Sequence, residues 1–246
     1  MSNCELTQPS ALSTIAAFLP YMPPRNGRAP AHASSLENVF DRESVPAAHA
    51  LYDAQESIYA TGDEDDSMYL IESGQVKLYM SSAGGKDCVV AIYTTGDVFG
   101  ESCFVGPKRF ETAAAMIPTS VRRLARRDLL AEVLRSGTAE ALIRHMASRI
   151  AERQTAIFDL VTIDSERRLA KVLLDVAEKL GAADGAFLVI DHRVSHEELS
   201  QIVGTTRPRI TKFMQNFRRE GLIDTTGRSI RVHRAKIVEY IERDRD

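Results

Sequence analysis

The side chains best suited to chemistry in this 246-residue chain are cationic, and they cluster in one short run. Between residues 206 and 219, Ile210, Phe213, Met214 and Phe217 recur at steps of three, one and three, the spacing of one buried helical stripe. Thr211, Lys212, Gln215 and Arg219 fall on the opposite face, and Arg207 and Arg209 flank its amino end. From 204 to 236, nine Lys and Arg stand against two Asp and Glu, whereas the whole chain carries a formal charge of -3. A helix apolar within and basic without, set in an otherwise acidic chain, suits a phosphate backbone.

Other chemistries are poorly supplied. No P-loop, nucleophile elbow, paired-carboxylate arrangement or metal-ligand cluster is present, so no catalytic or metal-binding residue is assigned and no enzyme is expected. Cys4, Cys88 and Cys103 are scattered and odd in number, which argues against a disulfide framework and points to a reducing cytoplasm. Cys88 and Cys103 read as small buried residues. No apolar run approaches a membrane span, and Glu5 with no Lys or Arg before Arg25 argues against a signal peptide.

The basic face needs elements to present it. Ser195 with Glu198 three residues on forms a capping box, and Leu199, Ile202 and Val203 make an apolar face behind it. Gly204 suits the left-handed turn that ends this helix. Thr206 is placed to cap the next one, with Pro208 in its first turn. Gly221 stops that helix, and two short apolar segments bracket Thr225, Thr226, Gly227 and Arg228 as a hairpin. Two helices, a glycine turn and a hairpin predict a winged helix-turn-helix.

Upstream, strands are expected at 68–71, 76–80, 89–93, 113–117 and 121–124, separated by glycine turns, which indicates an antiparallel roll. A helix without Pro or Gly then runs from 139 to about 163. Along it Ile143, Met146, Ile150, Ile157 and Leu160 fall near a 4-3 spacing that Arg153 interrupts. One helix cannot bury that stripe alone, so a homodimer through it is expected. The fold class is α+β: a Pro- and Ala-rich extension over 1–48, with residues 12, 15, 18 and 19 able to form one helix, a roll over 49–136, a dimerisation helix and hinge over 137–164, and the winged reader over 165–246.

This order resembles the CRP/FNR family of bacterial transcription regulators over roughly 58–232. The motifs that carry it are IYATGDEDDSMYLIESGQVKLY, GDVFGES, SERRLAKVLLDVA and SHEELSQIVGTTRPRITKFM. The resemblance implies a jelly roll able to hold a cyclic nucleotide, with double-stranded DNA, a second copy of the chain and RNA polymerase as partners. It makes Arg207, Lys212, Arg209 and Gln215 candidates for base edges, and Thr206, Thr211, Arg219 and Arg228 candidates for phosphates. Pro208 stands where many members carry a base-reading Glu, so the half-site should differ from that of the cyclic AMP receptor.

In the implied effector cassette Gly100, Glu101 and Thr112 are in place, with Ser102 a further pocket candidate, but Glu111 stands where the family uses an Arg on the phosphate. Arg109, two residues away, would share its face in a strand. The adenine-contacting Thr-Ser pair becomes Arg153 and Gln154. Cyclic AMP sensing is therefore not favoured. Arg153, facing the roll, is left to take another anion or a cyclic dinucleotide, or to pair with Glu101 or Glu111 in an effector-free protein, and the pairing is preferred. An iron–sulfur form lacks its cysteines, and His145 as a haem ligand is read instead as a surface residue. The competing reading is a ligand-binding regulatory or scaffold module whose carboxy-terminal helices bind protein.

Overall fold

A computed structural model of the chain describes residues 36–40, 45–190, 194–227 and 229–243. The expected extension helix near residues 12–19, Cys4 and Arg228 lie outside the described residues.

The roll begins after a one-turn helix α1 (Glu37–Phe40) and comprises β1 (Ala48–Tyr52), β2 (Ser57–Tyr59), β3 (Ser67–Ser73), β4 (Gln75–Ser81), β5 (Asp87–Thr94), β6 (Val98–Phe99), β7 (Thr112–Ala115) and β8 (Thr119–Ala125). Two four-stranded antiparallel sheets result, in the orders β1-β8-β3-β6 and β2-β7-β4-β5. Between them lie Tyr59, Tyr69, Ile71, Val76, Leu78, Tyr93, Phe99 and Val121. The outer face of the first sheet is closed by α1 and α2 (Arg126–Ser136), through Phe40, Met68, Leu70, Leu124, Leu129 and Val133. Coverage on both faces explains why β3 carries an unbroken apolar run rather than an alternation.

From Ala139 to Thr162 runs the long helix α3, which has no buried residue. Asp164 then caps α4 (Ser165–Leu180), its carboxylate accepting from the amides of Glu166 and Arg167. Leu169, Leu173 and Val176 of α4 enter a second core with Leu199, Val203, Ile210, Phe213, Met214 and Phe217. Around that core stand β9 (Ala182–Asp184), β10 (Phe187–Ile190), α5 (His196–Val203), α6 (Arg207–Arg219), β11 (Ile223–Thr226), β12 (Ser229–His233) and α7 (Arg234–Glu242). The expected wing is the β11–β12 pair, with Ile223 opposite Val232 and Thr226 opposite Ser229. The remaining strands extend it to a sheet in the order β11-β12-β10-β9.

Candidate nucleic-acid interface and effector cassette

Local sequence determines the reader's shape. Ser195 Oγ accepts from the Glu198 amide at 3.1 Å, and the Glu198 carboxylate accepts from the Ser195 amide at 2.9 Å. Gly204 ends α5 at φ 70°, a left-handed conformation that a β-carbon would strain. Thr206 occupies the N-cap position of α6, although its hydroxyl makes no capping bond there. Ile210, Phe213, Met214 and Phe217 are buried, which fixes the rotation of α6 and turns its other face outward.

On that outer face Thr206, Arg207, Arg209, Lys212, Gln215 and Arg219 are exposed, and Thr211 is half-buried. Among the described residues neither Arg207 nor Lys212 has an ion-pair partner, so both charges are free to meet an anionic surface. Arg209 lies 5.5 Å from the Phe213 ring, and Arg219 donates to Asn216 at 3.3 Å. The Thr211 hydroxyl donates to the Arg207 carbonyl at 3.1 Å and meets His196 Nδ1 at 3.0 Å, which ties α6 to α5. Arg218 contacts Thr225 on the wing at 3.2 Å.

The cassette is built differently from the expectation. Gly100 adopts φ 98°, and a β-carbon there would come within 2.9 Å of the Ser67 carbonyl. Arg109 precedes β7 rather than lying in it, is 2% exposed, and does not pair with Glu111. Its guanidinium donates to Asp65 at 2.7 and 3.0 Å, to the Gly100 carbonyl at 2.7 Å, to Ser102 Oγ at 2.7 Å and to the Ser67 carbonyl. It also covers the Tyr59 ring at 4.1 Å. Asp65 accepts further from Tyr69 at 2.9 Å and Arg123 at 2.9 Å. Burial alone would raise its carboxyl, but hydrogen bonding and charge from Arg109 outweigh that and hold it below the ordinary range.

Glu111 is buried and accepts from the Tyr59 hydroxyl at 3.1 Å, while its Oε2 has no partner among the described residues. Thr112 Oγ1 accepts from the Thr61 amide at 3.1 Å. Asp65 and Tyr59 escaped sequence reasoning. Asp65 sits in an acidic run whose members look alike until Arg109, 44 positions away, selects one.

Three expectations need correction. Arg153 pairs with neither Glu101 nor Glu111; it donates to the Val90 carbonyl and to Tyr93 Oη at 3.2 Å. His145 is half-buried against the roll rather than free on the surface: its Nε2 lies 2.7 Å from Glu101, and Arg149 Nε donates to the same oxygen at 3.0 Å. The i, i+4 steps from His145 to Arg149 to Arg153 place all three on one face of α3, a signal present in the sequence. Finally, Cys88 is exposed, whereas Cys103 is buried and its thiol is pushed up to about 11 by that burial. Gln154 is exposed. Among the described residues no group of three or more His, Cys, Asp or Glu could hold a metal ion, and no helix is long and apolar enough to cross a membrane.

Comparison with known proteins gives the roll and the reader separate matches. Residues 50–136 match the family model of the cyclic nucleotide-binding domain, and residues 167–237 that of the Crp-like helix-turn-helix domain. The CRP-like cAMP-activated global transcriptional regulator of Mycobacterium tuberculosis is 31% identical over 177 residues, covering 71% of this chain and 79% of that one. The chain belongs to the CRP/FNR family.

Within the CRP/FNR family, the cyclic AMP receptor protein of Thermus thermophilus is 28% identical, covering 78% of this chain and 86% of its own. Among solved structures, FixK2 from Bradyrhizobium japonicum superposes with a TM-score of 0.70 at 24% identity, over 78% of this chain and 96% of that one. A CRP-family transcriptional regulator from Thermus thermophilus gives 0.64 at 28% identity, over 78% and 95%. The roll, long helix and winged reader are therefore the architecture of CRP/FNR transcription regulators with a helix-turn-helix DNA-binding domain.

Proposed function

We propose that this CRP/FNR regulator binds DNA as a homodimer, with the roll over 49–136, the pairing helix over 137–164 and the reader over 165–246, and that cyclic AMP does not switch it. The observation that carries the DNA reading is the outer face of α6: Arg207 and Lys212 stand exposed, with no ion-pair partner among the described residues, on a helix whose rotation four buried side chains fix. Arg207, Lys212, Arg209 and Gln215 are assigned to base edges, and Thr206, Thr211, Arg219 and Arg228 to phosphates. Some relatives are named for cyclic AMP. Against that effector here stand the Glu111 carboxylate, repulsive toward a phosphate, and the commitment of Arg109 to Asp65. No resident cofactor is assigned. RNA polymerase is the expected protein partner, and the cytoplasm the expected compartment.

The test is selection from random duplexes by the purified protein, with and without cyclic AMP or a cyclic dinucleotide. A symmetric consensus recovered equally in all arms is expected; a consensus that appears only with cyclic AMP would reverse the effector assignment. Arg207→Ala should weaken specific binding by about 1–3 kcal/mol and relax one base position, leaving non-specific binding nearly intact. Full sequence discrimination by that variant in a gel shift would remove Arg207 from the reading face.

A further inference from the structure

The roll and the reader meet at Tyr93, where three cations converge. Tyr93 lies on β5, is buried, and stacks one face on Phe99 at 5.8 Å. Arg149 approaches its ring to 4.5 Å, Lys179 to 5.2 Å, and Arg153 reaches its hydroxyl at 3.2 Å. Arg149 and Arg153 come from α3, whereas Lys179 comes from α4, whose apolar face belongs to the reader's core. Lys179 also donates to the Ile92 carbonyl at 2.6 Å and pairs with Asp97 at 3.0 Å. A second tie joins Lys77 on β4 to Glu198 on α5 at 3.3 Å.

Three cations around one ring require anions. Asp97 serves Lys179; Glu152 at 3.1 Å and Glu101 at 3.0 Å serve Arg149. Glu101 differs from the other two because it opens the short 3-10 turn that follows Gly100 and so belongs to the cassette itself. His145 meets the same carboxylate at 2.7 Å, and Arg149 additionally donates to the Val98 carbonyl at 2.9 Å. Glu101 thus joins the cassette to the pairing helix, and Tyr93, which Arg149 and Lys179 both approach, carries that contact on to the reader.

We propose that Glu101 is a positioning residue that locks the reader onto its own roll with protein groups alone: its carboxylate holds Arg149 against Tyr93, and Tyr93 seats Lys179 of α4. This proposal rests on the DNA-binding reading above. Burial would raise the Glu101 carboxyl, yet the bond from His145 and the charge of Arg149 hold it below its ordinary range, so the anion persists at neutral pH. Burial drives the Lys179 ammonium the other way, below its usual range, with Asp97 opposing. Without the Glu101 charge, Arg149 keeps only Glu152 as its anion while it shares the Tyr93 ring with Lys179, and the hold of the reader on the roll loosens.

The test uses the full-length protein and its selected operator, with the spacing between half-sites varied by single base pairs. Wild type is expected to show a sharp optimum. Glu101→Gln should bind the best spacing roughly tenfold more weakly and flatten the optimum, the scale typical of coupling between two sites. Its affinity for a single half-site should not change, because the basic face of α6 is intact; general loss of folding would remove both. Lys179→Met breaks the same connection from the reader side and should flatten the optimum alike, with the double variant no worse than either single one. A Glu101→Gln protein with the wild-type optimum, or singles whose effects simply add, overturns the lock. Wild type that selects no sequence overturns the DNA reading and the lock with it.

Discussion

Asp65→Ala is expected to destabilise the roll by about 3–5 kcal/mol, the usual cost of removing one partner from a buried ion pair. The reason is Arg109, whose side chain is 0% exposed and pairs with Asp65 at 2.7 Å. Arg109 cannot shed its proton at any accessible pH, so an unpaired guanidinium would stay charged in the roll's interior. The carbonyls of Gly100 and Ser67 and the Ser102 hydroxyl would still accept from it, but they carry no charge. Tyr69 would lose the acceptor of its hydroxyl, and Arg123 one of its partners. Denaturant unfolding followed by circular dichroism measures the loss. The double variant Asp65→Ala with Arg109→Met should recover much of it, because it removes both charges together. A cost below about 1 kcal/mol for Asp65→Ala alone would mean that water reaches Arg109.

The same carboxylate predicts an acid limb. Its folded-state pKa is depressed below the unfolded value of about 3.9. Its stabilisation is therefore fully present above that value and is lost as pH falls through the folded pKa. Wild type should lose stability over that acid range more steeply than Asp65→Ala, and the two curves should converge at the acid end.

The reader's helix pair was legible in the sequence because its caps, its turn and its apolar stripe are local. Ser195 and Glu198 are three residues apart, Gly204 needs only its own φ, and the stripe from Ile210 to Phe217 spans two turns. The middle strands of the roll were equally plain, since β3 is an apolar run and β4 an alternation on either side of one glycine turn. Strands β1 and β2 were not: β1 is mostly exposed and carries Ala and His, and β2 is three residues long. They are strands because β8 and β7 pair with them, and that partnership comes from distant chain. The cassette was legible by position but not by contact. Residue types placed Arg109 beside Glu111, whereas packing sent it to Asp65. Along the long helix the 4-3 count finds Arg153 interrupting the pairing stripe, where a charge in an apolar seam would be costly. Arg153 therefore points at the roll of its own chain, and Val161, which the count passed over, is 79% exposed.

The largest expected effect is the loss of dimer in Ile150→Glu with Ile157→Glu. Ile143, Ile150 and Ile157 recur at seven-residue steps and are 68%, 59% and 63% exposed, with Phe158, Leu160 and Val161 continuing the patch and Met146 half-buried at its edge. Nothing among the described residues covers this surface, and a two-fold copy of the same stripe can cover it symmetrically. Burying one isoleucine stabilises by about 1.5–3 kcal/mol, and two-fold symmetry makes each substitution occur twice. Scaled to that exposure, the four removals alone amount to about 4–7 kcal/mol, before the penalty of four carboxylates in an apolar seam. Sedimentation at micromolar concentration should show a dimer for wild type and a monomer for the double variant, with unchanged helix content because both positions face solvent in one chain. Operator affinity should fall at least about 100-fold while single half-site binding persists, since only tethering of the two readers is lost. A double variant that still sediments as a dimer would place the pairing surface elsewhere, and the exposed isoleucines would then need a different partner.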